Sequence, residues 1–215
     1  ITIEKMDLGN LRDINKVFKK YNFNEVYNLA AQSFVNKSFG NPMSTSNITG
    51  LGVLRILEII RKNKKKIKFY QASSSEMFGK VKDQKQSEIT TLNPQSPYAV
   101  SKVFAHLITK NYRNSYNIFA TSGILFNHES PLRGKEYVTR KIIIGLVKIF
   151  KKKTRSFQLG NIYVKRDFGY AKEYVVAMWK MLQRKKPNDY VISTGKTYSI
   201  KDFINYATSY LNLKT

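Results

Sequence analysis

The sequence predicts an α/β fold in which a parallel sheet is covered on both faces by helices. Segments with strand character alternate along the chain with segments of helical periodicity, and each strand segment is an unbroken apolar run. Polar side chains follow two of these strands directly, in "QASSSE" (71–76) and "NHES" (127–130). Because ligands of such folds bind at the carboxyl ends of the strands, these two segments predict a binding site.

The first predicted helix places Leu11, Ile14, Val17 and Phe18 on one face, and a short buried strand follows at 25–30. The same reasoning gives the later elements, which are helices at 47–63, 96–116, 139–150, 170–183 and 199–211 and strands at 66–73, 118–127 and 190–195. The chain after about residue 130 is less regular, and we expect it to form a smaller lobe.

Two of these helices carry N-terminal signals. Ser96 followed by Pro97 predicts an N-cap with proline at the first helical position. Ser199 and Asp202 have the spacing of a capping box.

Composition restricts the function classes. The chain has 215 residues, of which 42% are hydrophobic, which is enough for a sizeable core. The absence of cysteine excludes disulfides and thiolate chemistry, and two histidines argue against a histidine-based metal site, so we expect no metal. No apolar run reaches the length of a membrane span, and the first ten residues contain no signal-peptide core. We expect a cytoplasmic protein that does not bind membranes.

The net charge of +24 would attract anions such as nucleic acid, anionic lipid or phosphorylated substrates. The excess is mostly lysine, in runs such as "RKNKKKIK" (61–68) and "KKKTR" (151–155). Such runs are usually solvated helix ends and faces, and that is the interpretation we favour. Because no helix-turn-helix, zinc-finger or RNP-type motif is present, we expect no nucleic-acid partner.

Tyr98 and Lys102 are four residues apart and therefore lie on one face of the predicted helix. An ammonium group near a phenol favours the phenolate and lowers the phenol pKa. Such a pair can take a proton from a sugar hydroxyl while a hydride leaves for a nicotinamide. The spacing alone is weak evidence, because it also occurs in ordinary amphipathic helices.

A set of motifs in a fixed order covers almost the whole chain. They are "DL" (7–8), "VYNLAAQS" (26–33), "FYQASSSEMFG" (69–79), "SPYAVSK" (96–102), "GILFNHESPLRG" (123–134), "VTRK" (138–141), "LGN" (159–161), "KRDFGYAKEYVVAMW" (165–179) and "DYVISTG" (189–195). With them the chain resembles the extended short-chain dehydrogenase/reductase family and, within it, the GDP-mannose 4,6-dehydratases. The "NHESP-x-RG" loop followed by "TRK" points to these dehydratases over their relatives.

The resemblance implies a Rossmann-like doubly wound parallel sheet, truncated at its N-terminus, with a smaller α/β substrate-binding lobe. Residues 1–130 would be part of an NADP-binding domain, and 131–215 part of a GDP-sugar-binding region interleaved with it. The implied reaction converts GDP-D-mannose to GDP-4-dehydro-6-deoxy-D-mannose and water by NADP-mediated internal hydride transfer from C4 to C6. This is the first step toward GDP-fucose and related deoxysugars. A homo-oligomer, dimer or tetramer, would be the working form.

The resemblance also implies roles for individual residues. Ser74 would hydrogen-bond the sugar 4-hydroxyl, Tyr98 with Lys102 would deprotonate it, and Glu76 would be the acid/base at C5 and C6. The implied cofactor-binding residues are Asp7, Leu8, Leu29, Ala30, Ala31, Gln32, Ser33, Tyr98, Lys102, His128 and Arg133. The implied substrate-binding residues are Asn127, Val138, Lys141, Gly160 and Arg166.

One element of the family is absent from this sequence, namely the opening strand, the G-x-x-G-x-x-G turn and the helix that hold the cofactor pyrophosphate. The C-terminal part of the sugar-binding lobe is also shortened. We therefore expect a fragment of one enzyme, and we expect these 215 residues alone to be poorly soluble and inactive.

Two alternatives stay open from the sequence. One is another nucleotide-sugar epimerase or dehydratase. The dTDP-glucose type usually has an aspartate immediately before the glutamate, where this chain has Ser75. The other is a non-catalytic basic fragment that binds an anion, which the net charge motivates.

Overall fold

The computed structural model describes residues 1–63, 65–81 and 85–213. Lys64 of the first lysine run and the last two residues of the predicted sugar-binding region lie outside the described residues. By internal contacts the chain divides into two units. The first comprises Ile1–Leu125 with Val176–Ile192, and the second comprises Phe126–Val175 with Ser193–Thr215.

The helices of the described chain are α1 (Leu11–Lys20), α2 (Val35–Gly40), α3 (Pro42–Thr45), α4 (Gly52–Lys62), α5 (Pro97–Tyr116), α6 (Val138–Phe150), α7 (Ala171–Leu182) and α8 (Ile200–Tyr210). A π-helical segment, Ser46–Leu51, leads into α4, and a 3₁₀ turn, Ser75–Met77, follows a strand. The strands are β1 (Glu25–Asn28), β2 (Lys68–Ser74), β3 (Ala120–Leu125), β4 (Asn127–Glu129), β5 (Lys165–Tyr170), β6 (Asp189–Ile192) and β7 (Thr197–Ser199).

The first unit contains a four-stranded parallel sheet with the strand order β1-β2-β3-β6. Its two central strands, β2 and β3, are almost wholly buried. This confirms the predicted parallel sheet, since continuous apolar strands need cover on both faces. The main core lies where α1, α4 and α5 meet the sheet. It includes Ile14, Phe18, Val53, Ile56, Leu57, Ile60, Phe69, Ala105, Tyr112 and Ala120.

The second unit contains a smaller three-stranded sheet with the order β4-β5-β7. β4 and β5 are parallel, whereas β7 runs antiparallel to β5, so this sheet is mixed. Ile142 and Leu146 of α6 pack with Ile200 of α8 in a separate apolar cluster. α8 begins with the predicted capping box, in which Ser199 and Asp202 bond reciprocally.

Three predictions about elements were wrong in detail. The strand predicted at 25–30 is only partly buried, because β1 lies at the end of the strand order in the described chain; Asn28 is buried, whereas Tyr27 is exposed, as is Leu29 directly after the strand. The helix predicted at 47–63 is an α-helix only from Gly52, because its first residues belong to the π-helical segment Ser46–Leu51; α2 and α3 before it were not predicted, in a region whose polar composition hides helical periodicity. β4, β5 and β7 were not predicted as separate strands, because each is short and polar.

The N-terminus of α5 is built as predicted. The Ser96 hydroxyl accepts a hydrogen bond from the Ala99 N–H at 3.1 Å, and Pro97 occupies the first turn. This cap fixes where the helix begins, and hence the height of Tyr98 and Lys102 above the sheet.

We predict that Ser96→Ala lowers the free energy of unfolding by about 1 kcal/mol, because the Ala99 N–H loses its partner in a buried setting. Ser115→Ala is the matched control, since Ser115 is an exposed serine near the other end of the same helix. It should change stability by less than about 0.5 kcal/mol. Urea denaturation measures both, and equal effects would show that the cap does not contribute.

Candidate active site

The carboxyl end of β2 forms the floor of the candidate site. β2 ends at Ser74, whose hydroxyl accepts the Glu76 N–H at 3.2 Å and so starts the 3₁₀ turn. A short hydroxyl side chain competes with the ladder for backbone groups, which explains why the strand stops there. Ser74 is buried and Glu76 is half-buried, so the turn presents a carboxylate beside the strand end.

Helix α5 brings the other two predicted catalytic residues to this strand end, since it packs against both β2 and the 3₁₀ turn. Tyr98 lies in its first turn, and Lys102 lies one turn later, with its Nζ 5.8 Å from the centre of the Tyr98 ring. Lys102 is only 3% exposed, and its Nζ donates to the Ala72 carbonyl at 2.7 Å. The structure therefore gathers all four predicted catalytic residues within the first unit.

Burial lowers the pKa of Lys102 to about 8, because the low-dielectric interior disfavours the ammonium form. The residue still holds its proton at neutral pH. One of its three N–H donors is used by Ala72, which leaves two for a ligand.

The predicted cofactor residues of the first unit differ in what they can offer. The side chain of Leu8 belongs to the apolar core, whereas the Asp7 carboxylate is exposed and accepts the Gly9 N–H at 2.8 Å. The segment 29–33 follows β1 at the carboxyl edge of the sheet, with Leu29, Ala30 and Ser33 exposed and Ala31 and Gln32 half-buried.

Gln32 is a ready acceptor in this segment. Its N–H donates to the Thr49 hydroxyl at 3.1 Å. Its buried Oε1 has no hydrogen-bond partner among the residues that the structure describes. A buried amide oxygen without a donor is costly, so this position suits a ligand that supplies one.

In the second unit, His128 lies on β4 and stacks on the ring of Tyr174, with ring centres 4.7 Å apart. Its Nδ1 lies 2.9 Å from the Phe126 carbonyl, which can only accept, so Nδ1 carries the proton and Nε2 is the acceptor. Arg133 pairs with Glu129 at 3.5 Å and lies 3.8 Å from the centre of the Tyr137 ring.

The five predicted substrate residues also lie in the second unit. Asn127 begins β4 and Val138 begins α6. Lys141 and Arg166 are exposed, and neither forms an ion pair with a carboxylate of the described chain. At Gly160 an added Cβ would meet nothing within 4 Å. Two exposed cations and an open glycine are features that a phosphorylated ligand can use.

Sequence reasoning missed a buried polar cluster under the strand end. Ser73 contacts His106, and Asp189 of β6 holds Arg113 through two hydrogen bonds of 2.9 and 2.7 Å. The available signal was the spacing of Tyr98, Lys102 and His106, each four residues after the last, which puts all three on one face of α5.

A comparison with protein families gives a match over residues 1–215 to the model described as GDP-mannose 4,6 dehydratase. The chain belongs to this family. A GDP-mannose 4,6 dehydratase of Drosophila melanogaster is 46% identical over 97% of this chain and 54% of its own length. The enzyme of that name from Dictyostelium discoideum is 48% identical over 95% of this chain and 58% of its own length. The one from Vibrio cholerae is 46% identical over 98% of this chain and 58% of its own length. The chain thus spans about half the length of these relatives.

Solved structures confirm the Rossmann-like fold predicted from the family resemblance. RMD from Pseudomonas aeruginosa, complexed with NADPH, superposes with a TM-score of 0.91 at 21% identity, over 98% of this chain and 72% of that one. A dTDP-glucose 4,6-dehydratase of Bacillus anthracis, in complex with NAD, superposes with a TM-score of 0.84 at 20% identity, over 98% of this chain and 64% of that one. Both are nicotinamide-binding proteins of the same α/β architecture.

Two further findings concern the described residues only. None of their helices combines the length and apolar character that a transmembrane helix requires. They also contain no group of three or more histidine, aspartate or glutamate side chains placed to hold a metal ion.

We predict that Gly79→Ala disrupts the turn that carries Glu76. Gly79 has a φ of +56°, and an added Cβ would lie 1.7 Å from the Asn93 carbonyl oxygen. Gly195→Ala is the matched control, because Gly195 has a φ of +76° but open space around it. Gly195→Ala should lower the free energy of unfolding by about 1–2 kcal/mol through backbone strain alone, and Gly79→Ala should lower it by clearly more. Thermal unfolding measures both; equal losses would show that the contact with Asn93 relaxes freely.

We predict that Lys102→Met raises the free energy of unfolding at pH 7. The folded pKa of Lys102, about 8, is below the ordinary 10.5, so between these values the unfolded chain binds more protons. The unfavourable contribution of Lys102 to the free energy of unfolding therefore becomes smaller as the pH rises from about 8 to 10.5. At about 1.4 kcal/mol per pH unit, the total change is on the order of 3 kcal/mol.

Urea denaturation of wild type and Lys102→Met at pH 7 and pH 10 tests this prediction. The advantage of the variant should be largest at pH 7 and should shrink by pH 10. A difference that does not depend on pH would contradict the account of a buried ammonium.

Proposed function

We propose that the protein containing this chain is a GDP-mannose 4,6-dehydratase that uses NADP. The observation that carries the proposal is the placement of Ser74, Glu76, Tyr98 and Lys102 around one strand end, in a chain of the GDP-mannose 4,6-dehydratase family. Its relatives at 46–48% identity bear that name. Because the chain spans about half of their length, the activity is a property of the full-length protein.

The residues present fit a nicotinamide dinucleotide. Lys102 offers two remaining donors at the strand end, and Gln32 offers a buried oxygen that lacks a donor in the described chain. We propose Asp7, Leu8, the segment 29–33, Tyr98 and Lys102 as cofactor contacts of the first unit, and His128 with Arg133 as those of the second. Bound there, NADP would supply oxidation at C4 and the matching reduction at C6. The choice of NADP over NAD is part of the proposal.

The first step assigned to this chain is removal of the proton from the sugar 4-hydroxyl. Tyr98 is the base, and the Lys102 ammonium favours its phenolate form. The Ser74 hydroxyl can donate to the same sugar oxygen while it accepts the Glu76 N–H. Ser74 and Tyr98 together orient the hydroxyl for oxidation.

The second step needs a separate acid/base, and Glu76 supplies it. A 4-keto group acidifies the C5 proton, which the Glu76 carboxylate accepts. The protonated Glu76 carboxyl then donates that proton to the departing 6-hydroxyl, which leaves as water, so Glu76 serves both transfers. A half-buried carboxylate beside the strand end suits this role, whereas an epimerase needs no second acid/base.

We propose that the second unit binds the GDP-sugar through Asn127, Val138, Lys141, Gly160 and Arg166. Arginine and lysine recognise diphosphate by forked bonds and point charge. The two cations are exposed and unpaired with carboxylates among the described residues, which supports this assignment. A homo-oligomeric working form and a cytoplasmic location belong to the same proposal.

We predict that Glu76→Gln in the full-length protein lowers turnover of GDP-mannose by about 10²–10⁴-fold, since it removes an acid/base and keeps the shape. Glu173→Gln, at an exposed position of α7, is the matched control and should turn over at the wild-type rate. Mass spectrometry detects the product by the loss of water from the sugar nucleotide. Full activity in Glu76→Gln would remove Glu76 from the mechanism.

A substrate panel separates this proposal from the other nucleotide-sugar enzymes. We expect turnover with GDP-mannose and none with UDP-glucose or dTDP-glucose. Turnover of either of those, or salt-sensitive DNA binding without any response to GDP-mannose, would contradict the proposed activity.

A further inference from the structure

His106 extends the catalytic face of α5 by one turn. Tyr98, Lys102 and His106 are spaced by four residues, and the last two both reach β2. Lys102 donates to the Ala72 carbonyl at 2.7 Å, and His106 Nδ1 lies 3.1 Å from the hydroxyl of Ser73, the next residue. Side chains of α5 therefore hydrogen-bond to two consecutive residues of β2, Ala72 and Ser73, immediately before Ser74.

The imidazole is enclosed by groups that decide its protonation. Ser73 and His106 are 3% and 6% exposed, and the His106 Nε2 lies 4.0 Å from the Asp189 carboxylate of β6. Burial lowers the pKa of His106; Asp189 opposes this, whereas Arg113 and Lys110 of α5 act in the same direction as burial. A neutral ring with its proton on Nε2, toward Asp189, leaves Nδ1 to accept the Ser73 O–H.

Asp189 is itself held in place. The Arg113 guanidinium binds both of its oxygens, and Arg113 also donates to the Ala120 carbonyl of β3 at 3.1 Å. The network thus runs from β6 through α5 to the end of β2. Since interior groups of this kind are costly when unpaired, the complete set fixes one arrangement.

We propose that His106 is a positioning residue, which through its hydrogen bond with Ser73 fixes the end of β2 so that Ser74 and Glu76 face Tyr98. Its effect on catalysis rests on the proposed function, whereas its effect on the strand end does not. Ser73→Ala removes the bond with a minimal change of volume. Thr109→Val is the matched control, because the Thr109 hydroxyl is also buried on α5 but, among the described residues, bonds within the helix, to the Ala105 carbonyl.

The first measurement is hydrogen exchange of the amides of residues 72–77 in the full-length protein. We expect Ser73→Ala to speed exchange by about tenfold, the size of effect that one hydrogen bond can account for. Thr109→Val should not change it, and Ser73→Thr, which keeps the hydroxyl, should restore protection. Equal exchange in Ser73→Ala and wild type would overturn the proposal.

The second measurement is nitrogen NMR of the histidine side chains in the labelled full-length protein, with His106→Gln to identify the His106 signal. We expect that signal to show the tautomer protonated at Nε2 and to be missing in His106→Gln. It should shift in Ser73→Ala and stay unchanged in Thr109→Val. A His106 ring protonated at Nδ1 at neutral pH would contradict the assigned bond.

The third measurement is steady-state turnover of GDP-mannose. Ser73→Ala should lower kcat by about tenfold and leave KM within about twofold, because the bond orients reacting groups and does not touch the nucleotide. If the wild-type protein has no dehydratase activity while Ser73→Ala still exchanges faster than wild type, the positioning role is supported and the proposed function is contradicted. A Ser73→Ala variant with faster exchange and wild-type kcat would overturn the catalytic part of the inference.

Discussion

The docking of α5 on the end of β2 is the interaction on which the candidate site depends. The bond from Lys102 to the Ala72 carbonyl sets the height of the helix relative to the strand. The Ser96 cap and Pro97 fix where that helix starts, and the Ser74 hydroxyl fixes where the strand stops. The two serine caps are local rules of hydrogen bonding, whereas the Lys102 bond joins residues 30 positions apart; together they bring a phenol, an ammonium and a carboxylate to the same strand end.

The interaction is not free of cost. An ammonium group that is 3% exposed is unfavourable for folding at neutral pH, as its lowered pKa shows. A second buried polar cluster joins His106 of the same helix to Asp189 of β6 and adds to the number of groups that must be satisfied. Such an arrangement exchanges stability for a preset geometry, which is typical of catalytic sites.

Much of the fold could be predicted from the sequence, and the reasons are local. The cap at Ser96, the capping box at Ser199 and the buried central strands β2 and β3 follow from side-chain chemistry and apolar runs. The exposure of β1 could not be predicted, since it depends on the strand order. The antiparallel β7 and the pairing of Arg113 with Asp189 are long-range contacts, which no local pattern encodes. The four catalytic candidates were predicted from the family resemblance, and their roles stay a prediction; two of them lie at the end of β2 and two on α5, which packs against it.

The most direct test of the account is the fate of the hydrogen on C4. The full-length protein would be given GDP-mannose deuterated at C4, in ordinary water, and the product examined by mass spectrometry and NMR. The account predicts that the deuterium appears at C6. Release of the deuterium to water, or its retention at C4, would contradict an internal transfer at the site formed by Tyr98, Lys102 and Glu76.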